Sequence, residues 1–262
     1  MGATTAAETT AGATMIDGDV IVVTGASRGL GRAMAERFAR EGARVVPMSR
    51  SADQLEALAA DAPTEMHPVA ADIREADDVR RVVDEAVDHF GRIDTVVNNA
   101  AVGLLSLTGE LKSVEDVTPE EWDTVIETNL RGPFLLTKYA LPHMRQRGRG
   151  NLINVTSGYG KHGQAEWAPY VSSKHGLEGL TDTVARECAD TGINVNAIDP
   201  GGSVETGFWN TADKRSHLPP AERDRVASPD VMNDAMVLLA GQGPEGVSGE
   251  SLTTSEWEER LG

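Results

Sequence analysis

Short, nearly continuous apolar runs alternate along this chain with segments whose apolar residues recur every three or four positions. The runs lie at 20–23, 44–48, 66–70, 93–97, 151–156, 192–198 and 251–254, and the periodic segments at 28–40, 53–60, 75–90, 170–189 and 230–240. The first pattern predicts strands buried on both faces, the second amphipathic helices. Gly42 closes the first helix. Thr118-Pro119-Glu120-Glu121 opens another, with Thr as N-cap, Pro at the first position and Glu three residues after the Thr. That helix runs past Asn129 toward Met144. Pro47 has no N–H to give a ladder and predicts a bend near the end of the second strand. Regular alternation of strand and helix predicts an α/β fold with a parallel sheet covered on both faces. No linker divides the pattern, so a single doubly wound domain is expected over 17–262, preceded by a flexible arm over 1–16.

Composition narrows the setting. No apolar run approaches the roughly 18 residues of a membrane span, and the Ala- and Thr-rich N-terminus has neither a basic start nor an apolar h-region. The single cysteine, Cys188, excludes an internal disulfide and fits the reducing cytoplasm. It falls in a helical pattern and is read as packing. The formal net charge of −17, from 41 acidic and 24 basic residues, argues against nucleic acid or an anionic membrane as partner. Only 5 of the basic residues are lysines, a balance that fits either a salt-adapted surface or a high-GC genome.

The candidate chemistry begins with Tyr170 and Lys174. On a helix, residues i and i+4 share a face, so the ammonium lies near the phenol and is expected to lower its pKa from about 10. A phenol tuned this way can act as general acid or base; the alternative is an ordinary surface pair. The first strand runs into Thr24-Gly25-Ala26-Ser27-Arg28-Gly29-Leu30-Gly31, where a helix begins. Glycines there let the backbone approach a pyrophosphate at a helix N-terminus. The spacing is G-x-x-x-G-x-G rather than G-x-G-x-x-G, and a turn without ligand is the alternative.

Together, T-G-x-x-x-G-x-G, Asn98-Asn99-Ala100-Ala101 and Tyr-x-x-x-Lys resemble the short-chain dehydrogenase/reductase family, over about residues 17–254. The resemblance implies a Rossmann-type fold with about seven parallel strands. It places a catalytic serine at Ser157, thirteen residues before Tyr170, and a helix asparagine at Asn129 that holds a water relaying protons from Lys174. It implies cofactor contacts from Gly25, Ser27, Arg28, Gly29, Leu30 and Gly31, from Asp72 and Ile73 at the adenine, and from Asn99 and Ala100. Tyr170 and Lys174 belong to this set too, as do Pro200, Gly201, Val204 and Thr206 beside the carboxamide. Asn98 is expected to tie its strand to the neighbouring helix, and Ala101 departs from the family's glycine. No metal is implied. Ser49 and Arg50 stand where an acid would select NAD. With Arg28 nearby they favour NADP(H), NAD(H) being the alternative.

These assignments imply a reductase of ketones or aldehydes, working reversibly on alcohols. The layout resembles 3-oxoacyl-carrier-protein and acetoacetyl-CoA reductases, but the scaffold serves many carbonyl substrates. Arg145, Arg147 and Arg149 could receive an acidic carrier or simply form a solvated helix end. A lid is expected over 207–220, with Phe208 and Trp209 either lining the substrate site or anchoring the lid, and 102–117 is a long loop that either shapes the mouth or is a surface insertion. The C-terminus departs from the family at Thr253–Trp257, and Trp257 either crosses a dimer or tetramer interface or covers its own subunit. The rival reading is a non-catalytic NADP(H)-binding regulator on the same fold.

Overall fold

The computed structural model describes residues 14–209, 212–218 and 223–262. Its strands are β1 (Val20–Thr24), β2 (Arg44–Ser49), β3 (Val69–Ala70), β4 (Thr95–Asn98), β5 (Gly150–Val155), β6 (Ile193–Asp199) and β7 (Ser251–Thr253). They form one sheet in the order β3-β2-β1-β4-β5-β6-β7, every pairing parallel. The chain winds outward from β1 to β3, then crosses back to β4, so the topology switches between β1 and β4. In open α/β sheets ligands bind at that switch, beyond the carboxyl ends of the strands.

Alternate residues of each strand feed opposite faces. Ile21 and Val23 pack with Met34 and Phe38 of α1 (Gly29–Arg40), with Leu55 of α2 (Ala52–Ala60), and with Met236 of the helix Asn233–Ala240. Val20 and Val22 face the other way, onto Val79 and Val83 of α3 (Ala76–Phe90) and Leu136 and Met144 of the helix Gly132–Arg147. Both faces are therefore covered, which is why the strands read as nearly continuous apolar runs.

Pro47 lies inside β2 rather than bending it. Both polar backbone groups of Val45 face the β3 side, bonding Glu65 and His67, so the missing N–H of Pro47, two residues on, faces that side too. Regular pairing with β3 starts only at Met48 opposite Val69, and the gap absorbs the proline. The helix capped at Thr118 forms with its full capping box, α5 (Pro119–Ile126), but does not run straight on. A π-helical turn at Glu127–Arg131 joins it to α6 (Gly132–Arg147). Such bulges often mark functional sites, and Asn129 lies in this one.

Residues 1–13 of the expected arm lie outside the described residues, but Thr14 bonds Glu41 and Ile16 is fully buried in the core, so the ordered domain starts earlier than 17. Cys188 is buried packing at the end of α7 (Ala168–Glu187), and burial pushes its thiol up. Trp257, on the C-terminal helix Thr254–Leu261, covers its own subunit: it is fully buried and donates to Ala197 O at 2.9 Å. The arginine patch is not a free surface. Arg147 bonds buried Asp94 at 2.8 Å, Arg149 reaches Asp94 and Asp19, and Arg145 donates to Glu187 O. Among the described residues no helix is long and apolar enough to cross a membrane.

Candidate active site

The carboxyl ends of β1, β4, β5 and β6 open into one cavity of about 780 Å³, within the range of sites that hold a small molecule or cofactor. Its floor is built around Thr24, the last residue of β1. The Thr24 hydroxyl donates to Val97 O and accepts the N–H groups of Asn99 and Ala100, each at 3.0 Å. The Asn99 amide donates back to Thr24 O at 2.8 Å. These bonds clamp the end of β4 against the glycine turn. Gly25 takes φ +69°, a conformation glycine adopts without cost. A Cβ on Gly31 would sit 2.4 Å from Gly25 O and 2.5 Å from the Asn99 amide nitrogen. The turn thus leaves α1 opening toward the cavity with no side chain in the way, a cradle that fits a pyrophosphate.

Every residue assigned to the cofactor, from Gly25 to Thr206, lines this cavity, as does Ser157. At the end expected to take the adenine, Arg50 and Arg74 flank Asp72. The Asp72 carboxylate takes Arg74 at 2.7 Å, and the hydrogen bond outweighs burial in holding Asp72 below its usual range. Arg50 also stabilises that charge and is exposed. Arg28 differs from expectation: its guanidinium reaches the start of the lid, so a Cβ on Gly207 would lie 3.2 Å from its Nη2. Ala101 fits into the wall, its methyl half-buried. Val204 pairs with Ala227, and the Thr206 side chain packs against Gly29, linking lid and glycine turn. Thr156 is buried in the cavity wall and its hydroxyl has no partner among the described residues. An orphan polar atom there is what a polar ligand would satisfy.

The catalytic candidates meet at the other end. Ser157 caps the turn after β5, and its side chain hydrogen-bonds the Tyr170 phenol. Tyr170 and Lys174 lie on the first turns of α7, with the Lys174 Nζ 5.6 Å from the Tyr170 ring centre. The expected fall of the Tyr170 pKa is not what the structure shows. Burial pushes the phenol up; the Ser157 bond opposes this, and Asp199 and Tyr159 add to it. The ammonium of Lys174 is itself buried, donates to Val155 O at 2.7 Å, and is pulled down to about 8 by desolvation. The i+4 rule gave the pairing correctly but ignored the aromatic packing that dries the site.

Asn129 does not line the cavity. Its amide donates to Val102 O and Ser173 Oγ, and its oxygen accepts Val102 N–H at 2.8 Å. It therefore pins the loop after β4 to α7, and its side chain has no donor left for a relay water. Asn98 also differs from expectation: it bonds Asn154 on the neighbouring strand at 2.8 Å, and Asn154 in turn reaches Thr181 on α7.

Two features escaped the sequence reading. Arg74 joins Asp72 and Arg50 in the cavity wall, and Trp167 packs on Tyr170 with ring centres 5.6 Å apart. Trp167 stands one helical turn before Tyr170, a spacing that was there to be read. Phe208 and Trp209 both line the cavity: Phe208 lies against Tyr170 at 5.4 Å, and Trp209, more deeply buried, packs on Trp167 at 5.8 Å. Residues 210–211 and 219–220 of the expected lid lie outside the described residues. The loop after β4 contains the helix α4 (Leu104–Leu107), and Ser106 and Leu107 line the mouth.

Known proteins resemble this chain over most of its length. The family model described as short chain dehydrogenase matches residues 19–216. The 3-oxoacyl-acyl-carrier-protein reductase FabG of Thermotoga maritima is 32% identical over 241 residues, covering 90% of this chain and 95% of that protein. Its namesake from Staphylococcus epidermidis is 40% identical over 184 residues, 69% of this chain and 73% of that one. A metagenomic short-chain oxidoreductase solved in complex with NADP superposes with TM-score 0.74 at 31% identity, covering 92% of this chain and 98% of that one. A short-chain alcohol dehydrogenase structure from Sinorhizobium meliloti gives 0.78 at 29% identity, covering 91% and 95%.

Proposed function

The chain belongs to the short-chain dehydrogenase family, and we propose that it is an NADPH-dependent reductase of ketones or aldehydes, reversible toward the alcohol. The observation that carries the reading is the meeting of Ser157, Tyr170 and Lys174 at one end of a cavity whose other end is the glycine turn. Bound there, NADP(H) supplies the hydride. The loop N–H groups and α1 would hold the pyrophosphate, Arg50 and Arg74 would receive the 2′-phosphate, and Lys174 and Asn99 would hold the nicotinamide side.

Ser157 donates to the substrate oxygen and stabilises charge as it grows there. As the carbonyl is reduced, Tyr170 would give its phenolic proton to the carbonyl oxygen. A phenol held above its ordinary pKa is in the protonated form this step needs. Lys174, with its folded value near 8, is still charged at neutral pH and stabilises the tyrosinate left behind. Solvent then restores the proton. With its amide committed to Val102 and Ser173, Asn129 is a positioning residue, and any relay from Lys174 bypasses that amide. The relatives named 3-oxoacyl reductases support a carbonyl substrate, and a homodimer or homotetramer is the expected assembly.

The test is NADPH oxidation followed at 340 nm with a panel of neutral and acyl-thioester ketones. Ketone-dependent oxidation is expected. Saturable NADPH binding with no turnover on any ketone would instead favour a regulator that kept the fold.

A further inference from the structure

The geometry points to an uncharged aryl ketone as the substrate class, presented free rather than on an acyl carrier protein or coenzyme A. This inference rests on the reductase reading above and names what that site selects. The chain is poor in aromatic residues, with 4 Phe, 4 Trp and 3 Tyr. Yet Tyr159, Trp167, Phe208 and Trp209 gather with Tyr170 in one cluster at the catalytic end. Trp167 and Phe208 lie nearly parallel, 16° apart with centres at 6.3 Å, and both line the cavity beside the proton donor. Flat apolar faces next to the reacting oxygen favour a flat apolar substituent on the carbonyl.

Charge points the same way. Leu107 and Thr124 both line the cavity, and the chain between them carries six acids (Glu110, Glu115, Asp116, Glu120, Glu121 and Asp123) with one lysine. That lysine, Lys112, is bound to Glu121 at 2.5 Å. In the lid and just beyond it, cations turn to local carbonyls: Lys214 to Gly207 at 2.5 Å, Arg215 to Trp209 at 2.7 Å, Arg223 to Leu218 at 3.0 Å. Arg147 and Arg149 are spent on Asp94 and Asp19. An acidic carrier or the phosphates of coenzyme A approaching over this loop would meet its carboxylates, and like charge suppresses such partners.

The experiment measures kcat/KM with NADPH for four substrates: ethyl benzoylformate, its anion benzoylformate, ethyl pyruvate and acetoacetyl-CoA. The neutral aryl ester is expected to exceed each of the others by about tenfold or more. In Phe208→Ala the ratio of ethyl benzoylformate to ethyl pyruvate should fall by about tenfold, with NADPH affinity checking that the fold is kept. In Glu115→Lys/Asp116→Lys the ratio of acetoacetyl-CoA to ethyl benzoylformate should rise by about fivefold. A preference for acetoacetyl-CoA or for benzoylformate, or ratios unmoved in both variants, overturns the inference and leaves the reductase reading standing. NADPH binding without oxidation by any of the four overturns both.

Discussion

The glycine turn offers a prediction whose size follows from coordinates alone. Gly31→Ala adds one methyl whose carbon would lie 2.4 Å from Gly25 O and 2.5 Å from the Asn99 amide nitrogen. Both neighbours are fixed: one is backbone, and the other is bonded to Thr24 O at 2.8 Å. Ordinary contact needs about 3.4 Å, so loop and helix must part by about 1 Å, a strain of about 1–3 kcal/mol by the measure of other overpacked sites. For a domain of this size that lowers the melting temperature by a few degrees, about 2–4 °C per kcal/mol. The same displacement moves the N–H groups that would hold the pyrophosphate out of line. NADPH affinity should then weaken by about 100-fold, or about 3 kcal/mol. Fluorescence titration of NADPH, run beside differential scanning fluorimetry, reads both quantities. An affinity within about threefold of the parent, with an unchanged melting point, would refute the claim that the turn is packed around a phosphate.

Three further predictions follow from side chains. Arg50→Ala should raise KM for NADPH by about tenfold or more while leaving KM for NADH nearly unchanged; equal effects on both would remove the 2′-phosphate assignment. Asp94 is pushed up by burial, yet the Val20 N–H and Arg147 outweigh this and hold its pKa down. Its contribution is therefore present above the unfolded value near 3.9 and is lost as pH falls through the lower folded value. Asp94→Asn should cost about 3 kcal/mol at pH 7, and the cost should vanish in melts at the acid end; a pH-independent difference would contradict it. Lys174 is depressed from 10.5 to about 8, so its charged form destabilises the fold below pH 8, and the penalty fades toward 10.5. Lys174→Met should relieve up to about 3 kcal/mol at pH 7, partly offset by the stranded Val155 carbonyl. The variant should thus melt no lower than the parent at pH 7 and lose any advantage by pH 10, with turnover abolished. A deficit at pH 7 that turns into a gain at pH 10 would reverse the sign.

What could be read from the chain was local. Alternating runs and helical periods follow from neighbours in sequence, as does the capping box at Thr118. So does the pairing of Tyr170 with Lys174, which share a helix face by their spacing, whereas Ser157 was reached through the family resemblance. What could not be read depends on distant partners. The upward push on Tyr170 comes from burial, and while Trp167 is its neighbour in sequence, Phe208 comes from the distant lid segment. Arg147 and Arg149 look like a free patch until Asp94 and Asp19 come beneath them. Trp257 looks like interface material until Ala197 O is found behind it, and the π-helical turn at Asn129 reflects a fit between helices rather than any local propensity.

The central claim is that Tyr170 gives the proton and does not hold the cofactor alone. Tyr170→Phe, assayed with ethyl benzoylformate and titrated with NADPH, tests it most directly. The account predicts that kcat falls by about 10³-fold or more while NADPH affinity stays within about threefold of the parent. Turnover within tenfold of the parent would contradict it.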